Sequence, residues 1–98
     1  MNYIVEWMPE AEMTFNENIE YLAKKWNLEV INGFLDRVDE VVSHIGENPF
    51  LYPTYKEFKD VRKCPVTKQI TVFYRIKDTQ IDLLTFWNNY QHPGRLKL

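Results

Sequence analysis

The chain has one cysteine, three glycines and no long apolar run in its 98 residues. Each shortage excludes something. A lone Cys64 forms no internal disulfide, so the fold must rest on packing. Gly33, Gly46 and Gly94 are too far apart to build a phosphate-cradling loop. His44, Cys64 and His92 are scattered without metal-ligand spacing, so neither a metal nor another cofactor is expected. No stretch approaches the roughly 20 apolar residues that span a bilayer. The opening Met1 to Glu6 lacks a basic segment followed by an apolar one, so it does not read as a signal peptide. A cytoplasmic protein with no membrane contact is the expectation.

What is present is an ordinary globular composition, 45% hydrophobic and 15% aromatic. At this length it predicts a single domain over residues 1–98 with one modest core. The net charge of −2 conceals a split: residues 1–50 hold three bases against ten acids, and residues 51–98 hold nine bases against four. Such an asymmetry marks either a polyanion-facing side or a solvated surface.

The most ordered signal lies near the C-terminal end. Gln69 to Ile76 is dense in β-branched and aromatic residues and reads as a strand. Lys77 to Gln80 is short and polar, with Asp78 suited to a turn. Ile81 to Trp87 reads as the returning strand. Alternation places Ile70, Val72, Tyr74 and Ile76 on one face and Thr71, Phe73 and Arg75 on the other.

Upstream, Tyr3 to Trp7 reads as a strand, and Pro9 suits the first turn of a helix. Ala11, Phe15, Ile19, Leu22 and Trp26 form one helical stripe. Asn27 reads as a cap for a second helix over 28–45. Gly33 there suggests a close crossing with the first helix, and Gly46 a C-terminal cap. Residues 50–59 read as a loop, and Val61 to Cys64 as a short strand ended by Pro65. The expected fold is α+β: an N-terminal strand, an antiparallel helical hairpin, then three antiparallel strands completing a four-stranded sheet.

Two clusters invite chemistry. Arg62, Lys63, Lys68 and Arg75 are bases on adjacent strands. Asn88 to His92 is a polar run after the last strand, where His92 is the residue that titrates near neutrality. From the residues alone, this points no further than nucleic-acid contact.

The ordered set of motifs resembles the RelE/ParE family of type II toxin–antitoxin toxins. The resemblance rests on Pro9-Glu10-Ala11 after a strand, the hairpin with Tyr21 and Trp26, Asn48-Pro49, Val61-Arg62-Lys63, Val72 to Asp78, and Phe86 to Pro93. It implies a growth-inhibiting toxin of the plasmid-stabilisation type, with a cognate antitoxin as partner. Its target would be either ribosome-bound mRNA, cut as by an endoribonuclease, or DNA gyrase, poisoned by binding. An inert, antitoxin-binding member is the third alternative. Carried over, catalytic roles fall on His92, Tyr90 and Arg62, and RNA-phosphate contacts on Lys63, Lys68 and Arg75. Thr71 and Tyr90 stand where cleaving members place arginines, so all three alternatives stay open.

Overall fold

A computed structural model describes residues 3–56, 58–91, 95, 96 and 98, with the backbone alone at Lys59. The element order is β1 (Ile4–Trp7), α1 (Pro9–Lys25), α2 (Leu28–Glu47), β2 (Thr54–Tyr55), β3 (Phe58–Pro65), β4 (Ile70–Lys77) and β5 (Gln80–Asn88). The sheet has five strands, in the order β1-β5-β4-β3-β2, not the four expected. The additional strand is β2, two residues inside what reads as loop. Its pairing with β3, interrupted by a bulge, comes from tertiary contact. A two-residue element carries too little periodicity to be seen beforehand. β3 also starts earlier than expected, at Phe58.

β1 runs parallel to β5, and the other neighbouring strands pair antiparallel. The β4–β5 hairpin closes through Asp78, whose φ of 52° lies in the left-handed region. Aspartate tolerates that conformation better than most residues. The register shifts between Phe73 and Tyr74, leaving Leu84 as the extra residue on β5.

α1 begins with Pro9 after an extended Met8, with Glu10 and Glu12 in its first turn and Lys24 and Lys25 in its last. That charge order suits the helix dipole. The helix stops at Lys25, and Trp26 adopts an extended backbone. Trp26 therefore leaves the apolar stripe and stands 56% exposed, against the expectation of a core position. α2 is capped by Asn27, whose side chain accepts from the Val30 amide at 3.1 Å. Gly46 does not end it; the helix runs through to Glu47, and Asn48 is the cap. Nor does Gly33 mark a helix crossing, for nothing lies within 4 Å of where its Cβ would be.

Both helices cover one face of the sheet. The core joins Leu22, Phe34, Val38, Val41 and Ile45 to Cys64, Val72, Tyr74, Ile81, Leu83 and Phe86. Phe15 links the layers, lying 5.6 Å from the Phe86 ring and 5.9 Å from Phe34. Among the described residues, no helix is long and apolar enough to cross a membrane.

Candidate functional site

Strand alternation gives the sheet two unlike faces. Register places Arg62 beside Tyr74, and Cys64 beside Val72, on the helix side. Lys63 sits beside Phe73, and Pro65 beside Thr71, on the open side. Thus Arg62 and Lys63, adjacent in sequence, point in opposite directions. The four bases therefore do not all line one face.

Arg62 is a structural clamp. Its Nη1 donates to the Tyr52 carbonyl at 2.6 Å and to the Phe50 carbonyl at 3.3 Å. Its guanidinium also lies 5.2 Å from the Phe50 ring centroid. Tyr74 pins the same loop from below, its hydroxyl donating to the Pro49 carbonyl at 2.6 Å. Burial pushes the Tyr74 hydroxyl well above its ordinary value, so it remains a donor. Close by, His44 Nδ1 and the Tyr52 hydroxyl lie 2.6 Å apart. Burial raises the Cys64 thiol, outweighing the Tyr52 hydrogen bond and the Arg37 charge that pull it down. Cys64 is thus a packed thiol and not an exposed nucleophile.

On the open side, Tyr55, Lys63, Thr71, Phe73, Trp87, Asn89 and Leu96 surround a hollow of about 180 Å³. Tyr55 meets Phe73 edge-on at 4.9 Å between ring centroids. Lys63 is exposed and reaches over the Tyr55 ring at 5.9 Å. Within its lining, Thr71 Oγ1 donates to Asn89 Oδ1 at 2.9 Å. Asn89 Nδ2 in turn donates to the Lys68 carbonyl at 3.2 Å. Thr71 is therefore neutral and already hydrogen-bonded.

The remaining candidates spread apart. Arg75 Nε lies 2.9 Å from Asp60 Oδ2, but the oxygen is off the N–H direction and makes no aligned hydrogen bond. Lys68 is exposed in the turn before β4, beside the helices and off the open face. Tyr90 is 77% exposed, its amide donating to Asn88 Oδ1. His92 lies outside the described residues. Among those described, no group of three His, Cys, Asp or Glu side chains is placed to hold a metal ion.

Two residues the sequence reading passed over do much to fix this geometry. β1 ends at Trp7, so the outer edge of β5 beyond Leu83 lacks a strand partner. Thr14 Oγ1 accepts from the Phe86 amide at 2.9 Å, and Asn18 Nδ2 donates to the Phe86 carbonyl at 3.2 Å. One helix face thereby replaces a missing strand and fixes where Trp87 emerges. The available signal was two polar residues, four apart, set between the apolar positions of the α1 stripe.

The comparisons agree with this architecture. The family described as the ParE toxin of the type II toxin–antitoxin system parDE matches residues 5–92. No curated protein sequence matches. Among solved structures, the chromosomal ParDE system of P. aeruginosa is similar at a TM-score of 0.65 and 14% identity, covering 88% of this chain and 95% of that one. The YoeB dimer of Staphylococcus aureus is similar at 0.63 and 14% identity, covering 92% and 100%. The toxin–antitoxin complex RelBE2 of Mycobacterium tuberculosis follows at 0.60 and 15%, covering 90% and 99%. At these identities the structures bear on the fold alone; the family match spans most of the chain, and this protein belongs to the ParE toxin family of type II toxin–antitoxin systems.

Proposed function

We propose that this toxin inhibits growth by binding a protein target through its open sheet face, with DNA gyrase the first target to test. The observation that carries the reading is the Thr71–Asn89 pair at 2.9 Å, at the end of that face where β4 begins and β5 ends. Cleaving RNA needs a group to take the 2′-hydroxyl proton and another to protonate the leaving oxygen. The lining of the hollow holds this neutral hydrogen bond instead. Around it, the partly exposed Tyr55 and Trp87, backed by the buried Phe73, stand with the exposed Lys63, and tyrosine and tryptophan are residues that anchor protein contacts.

The ribonuclease reading keeps one observation in its favour. An exposed lysine beside aromatic rings can also hold a phosphate while a base stacks. Tyr90 and His92 would then have to supply the protons, with Lys63, Lys68 and Arg75 as phosphate contacts. Induced expression with separate readouts of translation and DNA supercoiling tests the two. DNA breaks with translation intact support gyrase. Cut mRNA overturns it, and an absence of any growth effect would leave an inert partner-binding module.

The partner is proposed to be a cognate antitoxin. RelBE2 and the YoeB–YefM assembly of Staphylococcus aureus are both toxin–antitoxin complexes. The exposed apolar side chains of this chain, Trp26, Leu28, Phe50 and Leu51 among them, give such a chain surface to cover.

A further inference from the structure

Two consecutive tail residues stand in the walls of two different cavities. Leu96, half-buried, closes one side of the open-face hollow beside Tyr55, Phe73 and Trp87. Arg95, exposed, lines a second cavity of about 290 Å³ between α1 and the end of β5. Trp87 borders both cavities. The tail therefore lies back over Trp87 although β5 has ended at Asn88.

The second cavity is acidic on its helix side. Glu10 and Glu17 lie seven residues apart on α1, close to two helical turns, and so face the same way. Arg95 is the one base among the described residues around them. Opposite charge draws Arg95 toward α1, and that anchor sets Leu96 against the hollow. Burial of apolar surface beside the rings adds to the hold.

Resting on the docking reading above, we propose that Arg95 and Leu96 are an internal stand-in for the target. They cover part of the hollow in the free toxin. The target displaces them with a contact of the same chemistry: a basic side chain toward Glu10 and Glu17, and an aliphatic one against Trp87. The strap thus competes from within the molecule. It lowers target affinity according to the fraction of molecules whose hollow stands uncovered.

The full-length toxin labelled with fluorotryptophan reports the strap without a partner. Trp87→Phe assigns the Trp87 fluorine resonance among the three tryptophans. Leu96→Ser and Arg95→Glu each move that resonance and leave those of Trp7 and Trp26 in place. A resonance unmoved by Leu96→Ser overturns the covering of the hollow, and one unmoved by Arg95→Glu overturns the anchor. Purified DNA gyrase is the second probe, titrated against the same chains. Leu96→Ser binds it about threefold tighter than the parent, because the covered form is lost. Unchanged or weaker binding overturns the stand-in role. In the Arg95→Ala chain, where the anchor is already gone, Glu17→Lys weakens binding by repelling the target's base. Equal binding there overturns the basic half of the contact. A parent that binds no gyrase, while its Trp87 resonance still answers to Leu96 and Arg95, overturns the gyrase reading and leaves the strap standing.

Discussion

Arg62 Nη1 donates to the carbonyl of Tyr52 at 2.6 Å, on the side of the sheet opposite its neighbour Lys63. One strand thus divides two adjacent bases between two tasks. Arg62 holds the loop that follows α2, and Lys63 faces solvent beside the aromatic hollow. Arg62→Ala should therefore cost stability, about 1–3 kcal/mol for carbonyls that lose a charged donor. Urea unfolding of the purified variant measures it, and an unchanged midpoint would show the clamp to be idle. Arg62→Lys, which keeps the charge but lacks the fork, should recover only part of the loss.

The edge of β5 gives a second test. Asn18→Leu removes the donor to the Phe86 carbonyl, and Thr14→Val removes the acceptor for its amide. Each should destabilise by about 1–3 kcal/mol by leaving a backbone group without its partner. Because both act on one residue, the double variant should lose less than the two single losses combined. Strict additivity in denaturant melts would mean that the two contacts act independently.

These contacts show what was legible beforehand. The β4–β5 hairpin, the alternation of Val72 and Phe73, the Asn27 cap and Pro9 at the helix start follow from local chemistry. Trp26 did not, because period alone cannot tell that a helix stops one residue earlier. β2 did not, because two residues pair only when β3 is already beside them. The site was harder still. Alternation alone sends Arg62 and Lys63 to opposite faces, but which face the helices cover shows only once the elements pack, and Lys68 falls in the turn before β4. Thr14 and Asn18 look like interruptions of an apolar stripe until an unpaired strand edge lies opposite them.

Alkaline pH should weaken the fold. The Tyr74 and Tyr52 hydroxyls and the Cys64 thiol are all raised from their ordinary values, chiefly by burial. A raised value means the folded state holds its proton when the unfolded state has lost it. Stability is therefore fully present below the unfolded values, 9.0 for the thiol and 10.0 for the phenols, and is lost as pH climbs above them. Thermal midpoints of the parent should fall from about pH 9 upward. Tyr74→Phe should start from lower stability, having lost the bond to Pro49, yet fall less steeply. An identical slope in that variant would remove Tyr74 from the account.

Val72 tests the core side of β4. It is fully buried, beside Cys64 on one strand and Phe86 on the other. Val72→Asp puts a charge where no partner stands, a change that exceeds the marginal stability of a small domain. Circular dichroism should show an unfolded chain at room temperature. A cooperative melt near the parent midpoint would refute the placement.

The proposed function is tested on the open face. If the aromatic hollow docks a protein, the sensitive positions are those whose side chains form it. Trp87 is half-buried at the end of β5, and Lys63 is exposed at the hollow's rim, so neither carries the core. Trp87→Ser and Lys63→Glu should each lower toxicity in a growth assay at least tenfold, with circular dichroism confirming a folded chain. Tyr90→Phe and His92→Ala should remain as toxic as the parent, because docking moves no proton. Arg62→Ala should lose toxicity only as far as it loses folded protein. Cleavage predicts another ranking: His92→Ala and Tyr90→Phe would abolish growth inhibition while Trp87→Ser weakened it. That ranking, observed in folded variants, would return the chain to the ribonucleases, with Thr71 and Asn89 left as neighbours of a catalytic tail.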